Sequence, residues 1–185
     1  MKSAPLKEIK HLLPQDSHYY KDEYYLDKEV LLHEGDWIIA ESLDLDQPEL
    51  LLADGDCPEF PPFILVTGNM VAQNIFNDET DGSTGLIVLG NLTAENIVVG
   101  GQELYIKGNL IVNGLFWGDY NHGELIVEGK IAIKVFLNTD YHCDYDRFTN
   151  RQNMEVNHIF WDDVDDDITD DSEIRTWFKP EYLEN

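Results

Sequence analysis

The chain has 185 residues, 43% of them hydrophobic, enough to bury a core within one domain. Its 37 acidic and 12 basic residues give a net charge of −25, which repels nucleic acid and anionic membrane and favours a basic partner. Two cysteines, Cys57 and Cys143, exclude a disulfide scaffold; with no signal-like segment and no apolar run of about 18 residues, a soluble cytoplasmic protein is expected.

Residues 1–35 are nearly neutral, with 7 acidic and 5 basic residues. Pro5 to Leu13 predicts a short helix with Leu6, Ile9 and Leu13 on one side. An aromatic cluster, Tyr19, Tyr20, Tyr24 and Tyr25, follows, and the block reads as an N-terminal cap. Residues 36–83 hold 11 acidic residues and no Lys or Arg. Trp37–Ile39 and Leu50–Gly55 resemble degenerate repeat units, and Pro48, Pro58, Pro61 and Pro62 interrupt them, so irregular coils are expected.

A repeat then becomes explicit. Ile64–Met70, Leu86–Leu92, Leu104–Leu110 and Leu125–Ile131 align without gaps, and their glycines, Gly68, Gly90, Gly108 and Gly129, lie 22, 18 and 21 residues apart. The first, third, seventh and ninth positions are apolar in every unit, and a further apolar position falls at Ile75, Ile97, Leu115 and Phe136. Short alternating runs joined at a glycine predict strands with one face on a core. Two such runs per unit predict a parallel β-solenoid, because the units lack room for the helix of a leucine-rich repeat. The glycines are expected to supply backbone angles other residues resist, and Asn69, Asn91 and Asn109 to stack along one corner. The segments Asn77–Thr84 and Trp117–Gly123 read as inserted loops. Residues 36–143 are thus assigned to the solenoid, irregular over 36–83 and regular over 84–143.

Residues 144–185 read as an acidic C-terminal cap. Met154–Phe160 has the pattern of one more strand or an edge segment. Ser172 to Lys179 predicts a short helix with Ser172 as N-cap and Ile174, Trp177 and Phe178 on one face. The fold class is all-β, a single-domain parallel β-helix with terminal caps containing short helices.

No catalytic, cofactor or metal site is expected. Asp163, Asp165 and Asp167 fit the opening of an EF-hand loop, but Ile168 and Ile174 stand where it needs Gly and Glu. His142 and Cys143 lie near Asp140, Asp144 and Asp146, without the paired-cysteine spacing of a structural zinc site. No phosphate-binding loop, dinucleotide fingerprint, nucleophile elbow or zinc-protease motif occurs, and enzyme activity is not expected.

Binding is the better expectation. The second position of each unit, Leu65, Ile87, Tyr105 and Ile126, and the eighth, Val71, Thr93, Ile111 and Ala132, point outward, and such ladders need a cover from a terminal segment or a partner. Phe116, Trp117, Tyr120, His122 and Tyr105 are candidate aromatic anchors. Asp44, Asp46, Asp54 and Asp56 in the early coils, with Asp162, Asp163, Asp165, Asp166 and Asp167 in the C-terminal run, are candidate contacts to a basic protein.

Over residues 63–137 the units Leu86–Leu92, Leu104–Leu110 and Leu125–Ile131, with their Gly-Asn turns, resemble the bactofilins, polymer-forming bacterial cytoskeletal proteins. The resemblance implies a right-handed β-helix and, by extension, a self-assembling scaffold. The cap-like ends and the charge of −25 depart from a filament-forming pattern. Together they look more like an acidic immunity protein or inhibitor, a monomer or small homo-oligomer that covers the substrate cleft of a basic toxin such as a nuclease, with no direct contact to nucleic acid.

Overall fold

In the computed structural model, which describes residues 1–52, 61–78 and 83–161, the repeat winds into a parallel β-solenoid. The chain enters through strand β1 (Lys2–Pro5), helical turns α1 (Leu6–Ile9) and α2 (His18–Lys21), and strand β2 (Glu29–His33). Two short strands follow, β3 (Trp37–Ile38) and β4 (Leu43–Asp44). Four regular coils then each contribute a short strand and a longer one: β5 (Phe63–Val66) and β6 (Met70–Phe76), β7 (Gly85–Val88) and β8 (Leu92–Gly100), β9 (Glu103–Ile106) and β10 (Leu110–Asp119), β11 (Glu124–Val127) and β12 (Ile131–Thr139). The described chain ends with β13 (His142–Cys143), helix α3 (Tyr145–Thr149) and β14 (Met154–Trp161).

Stacking the coils builds two sheets. The first runs β1-β2-β5-β7-β9-β11-β13, and the second runs β14-β12-β10-β8-β6-β3 with β4 also on β6. All neighbours are parallel except β1, which lies antiparallel on β2. Residues 29–33, inside the segment read as a cap, therefore form the first rung, with Leu31 beside Ile64. In the same way β5 and β6 are already regular, although they fall within the coils expected to be irregular. Residues 154–161 resolve as an edge strand, parallel to β12.

The inward code holds. Ile64, Val66, Met70, Ala72 and their equivalents in the next three units are all buried in one core between the sheets. The further inward position departs in the third unit. Sequence spacing points to Leu115, but the register slips between Val112 and Phe116, and Phe116 pairs with Ile97 and Phe136 in the core. The physical cause is local. Asn96 Oδ1 accepts the Leu115 amide at 2.9 Å and sits where a side chain on Gly114 would go, so the strand bulges by one residue.

The glycine column has a different cause from the one expected. Among the described glycines only Gly35 and Gly101 have positive φ; Gly68, Gly90, Gly108 and Gly129 do not. A Cβ on Gly90 would lie 2.5 Å from the Gly68 carbonyl oxygen, and one on Gly108 2.5 Å from that of Gly90. Successive coils approach backbone to backbone, each glycine amide donating to the glycine carbonyl before it. The asparagine stack forms alongside: Asp36 accepts from Asn69, Asn69 from Asn91, Asn91 from Asn109, and Asn109 from the Lys130 amide.

The two sheets differ on their outer sides. Leu65, Ile87 and Tyr105 on the first sheet are fully buried beneath Leu6, Ile9, Leu13 and Tyr19 of the N-terminal segment, in a second apolar cluster. That ladder is covered by the chain itself. Tyr105 donates toward Asp16 at 2.7 Å and Glu128 at 2.9 Å, which ties the cover down.

Candidate functional site

The second sheet carries the ladder that the N-terminal segment leaves uncovered. Register places Phe76, Val98, Trp117, Leu137 and Phe160 in one outward column across five consecutive strands. Neither apolar cluster of the described residues includes any of the five. A parallel column beside it runs Ile38, Val71, Thr93, Ile111 and Ala132, in which Ile38 is 76% and Ile111 39% exposed. Parallel sheets are ordinarily covered on both faces, so apolar columns of this length on an outer face make it a candidate docking surface.

Trp117 is the centre of that surface. It lies within β10 rather than in a loop, is 36% exposed, and is held in place. Its indole Nε1 donates to Thr139 Oγ1 at 2.7 Å, and that hydroxyl donates to Asp119 Oδ1 at 2.8 Å. A locked aromatic side chain loses little entropy on binding.

The remaining candidates fare differently. Phe116 and Tyr105 are fully buried, one in the inner core and one under the N-terminal segment, so neither is a surface anchor. The inner face claims Phe116 because of the bulge at Gly114. Tyr105 lies on the outer face that the chain covers. Tyr120 is half-buried at a left-handed corner with φ 83°, its ring 4.8 Å from that of exposed His122. Those two lie on the connection from β10 to β11 rather than on the second sheet.

Asp44 and Asp46 are half-buried and engaged locally. Asp44 accepts from the Asp46 amide at 2.9 Å and Gln47 Nε2 at 2.6 Å, and Asp46 from the Asp78 amide at 2.6 Å and Ser83 Oγ at 2.5 Å. Their carboxylates shape a turn before they meet any partner. Asp54, Asp56, Asp162, Asp163, Asp165, Asp166 and Asp167, together with Cys57 and the expected helix at Ser172–Lys179, lie outside the described residues. Cys143 is a free, half-buried thiol, pushed up to about 12 by its burial and so held in the unreactive thiol form.

Sequence reasoning found Trp117 but missed its four neighbours. The signal was present: Phe76, Val98 and Leu137 each stand directly after the further inward apolar residue of their unit. In the third unit the bulge shifts that position from Phe116 to Trp117, which hides the column from a gap-free alignment. Among the described residues no helix is long and apolar enough to cross a membrane. No family model matches the chain, and neither a curated protein nor a solved structure matches it.

Proposed function

We propose that this chain is a non-enzymatic, protein-binding solenoid that neutralises a basic toxin, such as a nuclease, by covering its substrate cleft. The observation that carries the reading is the outward apolar column centred on the exposed, immobilised Trp117, set in a molecule of net charge −25. Charge draws a cationic partner in and orients it, while a buried aromatic anchor supplies most of the binding energy. Steric occlusion follows from a rigid surface that the partner's nucleic acid cannot share.

An antiparallel strand at one end and an apolar cap at the other support this reading over a filament-forming scaffold. The antiparallel β1 lies on the first rung of the first sheet, where another coil would have to stack. At the other end α3 places Phe148 over the core, its ring 4.2 Å from that of Phe136.

The test is to purify the product of an adjacent reading frame that encodes a basic toxin domain and assay its activity with and without this protein. Inhibition that weakens with added salt is expected, and Trp117→Ala should weaken it by about 30-fold, the loss of a binding hot spot. Undiminished toxin activity, or equal inhibition by the variant, would sink the reading. Filaments of the pure protein in electron micrographs would favour the scaffold.

A further inference from the structure

A solenoid has apolar surface to cover on the outer faces of its sheets and at the end of its last coil. The N-terminal segment covers the first sheet. Phe148 and Trp161 cover the last coil, their rings 4.2 and 6.0 Å from that of Phe136. The outer face of the second sheet keeps Val71, Ile111 and Trp117 at 42, 39 and 36% exposure, with Val98 and Leu137 half-buried beside them.

The course of the chain points to what covers that face. β14 is the edge strand of the second sheet, and Trp161 is its last residue, directly after Phe160 in the Trp117 column. The chain therefore continues from the border of the uncovered face. Residues 162–171 hold seven aspartates and no Lys or Arg, and residues 172–179 set Ile174, Trp177 and Phe178 at the spacing of one helical face. The reach is ample. Ten extended residues span up to about 33 Å, whereas Trp117 on β10 lies two strand spacings, about 10 Å, from β14. A helix over 172–179 is about 12 Å long, close to the roughly 10 Å between β8 and β12. Lys134 is exposed on β12 between Ala132 and Leu137 of the two columns, and gives the acidic run a cation on this face.

We propose that residues 172–179 dock on the outer face of the second sheet, with Trp177 and Phe178 packed over Val98, Trp117 and Leu137. A second copy of the chain is the poorer occupant, because it brings a further charge of −25 against the same face. The tethered segment instead acts at the high effective concentration of a short linker. Given that this face is the docking surface of the reading above, on which this inference rests, an outside partner reaches the column only by displacing the segment. Its apparent affinity is then lowered by the fraction of molecules in which the face is closed.

The test is an NMR comparison of the full chain with its Trp177→Ala variant, read through the Trp117 indole N–H and the Val98 and Leu137 methyl groups. Loss of the Trp177 ring should shift these resonances and leave those of Leu65 and Ile87, under the N-terminal segment, in place. Trp177→Phe keeps an aromatic ring and should produce smaller shifts. Unmoved Val98 and Leu137 resonances would overturn the proposal. So would shifts centred on Ile133 and Val156, which put the segment at the end of the core, or a parent spectrum that changes on dilution, which gives the face to a second copy. The measurement uses no toxin, so a negative result here stays distinct from a failure of inhibition.

Discussion

At the scale of single residues, close approach decides more than conformation. Gly108 has an ordinary φ, yet a methyl group there would lie 2.5 Å from the Gly90 carbonyl oxygen, and neither coil can move without breaking its ladder. Gly108→Ala is expected to cost about 1–3 kcal/mol, the range for overpacking a close-packed interior, measured as a lower urea midpoint with an unchanged slope. The glycine spacing was legible in the sequence; the reason for it was not, because a one-dimensional pattern does not distinguish a special backbone angle from a neighbour's carbonyl. The same limit explains Phe116. Alternation assigns a residue to a face only while the register is unbroken, and the bulge created by Asn96 and Gly114 exchanges Leu115 for Phe116.

At the scale of elements, the two sheets carry different sequence signatures. The short strands Phe63–Val66 and Gly85–Val88 are buried on both faces, whereas β6, β8, β10 and β12 alternate. Continuous apolar runs in the short strands show that something covers the first sheet; which segment does so depends on contacts far apart in sequence. The N-terminal segment is that cover, and Glu103 is one of its fastenings. Burial raises the Glu103 carboxyl above its ordinary value, outweighing the hydrogen bonds from Ser17 and His18 that act the other way. The folded state therefore holds this proton at a pH where the unfolded chain has released it. Its contribution to stability is complete below about pH 4.5 and is lost as pH rises through the raised value. Urea unfolding should show stability falling with pH across that window, and Glu103→Gln should flatten the slope.

At the scale of the whole molecule, the first sheet departs from regular stacking at each end. Past the last regular coil, the Arg147 guanidinium donates to the Val127 and Gly129 carbonyl oxygens. In every earlier coil the amide of the following glycine takes the carbonyl at the Gly129 position. Arg147 thus stands in for a coil that is not there and blunts an edge that would otherwise pair with another copy. Arg147→Ala leaves the Val127 carbonyl unpaired and the Gly129 carbonyl with only Asn153 Nδ2 at 3.4 Å, and should cost about 1–3 kcal/mol. It should also raise the sedimentation coefficient at high salt, where screening removes the repulsion between subunits of charge −25. A variant that remains as stable as the parent would show that solvent serves these carbonyls equally well.

By itself the sequence determined the solenoid, its inward apolar code, the asparagine stack and the excess of acid, because each depends on residue type and spacing alone. Only the tertiary structure decided which outward ladder the N-terminal segment covers, since that turns on where the segment docks. It also placed Trp117 among Phe76, Val98, Leu137 and Phe160, and stacked Glu103, Glu124 and His142 on adjacent strands. Those groupings arise from the register between coils, and a single inserted residue is enough to change it.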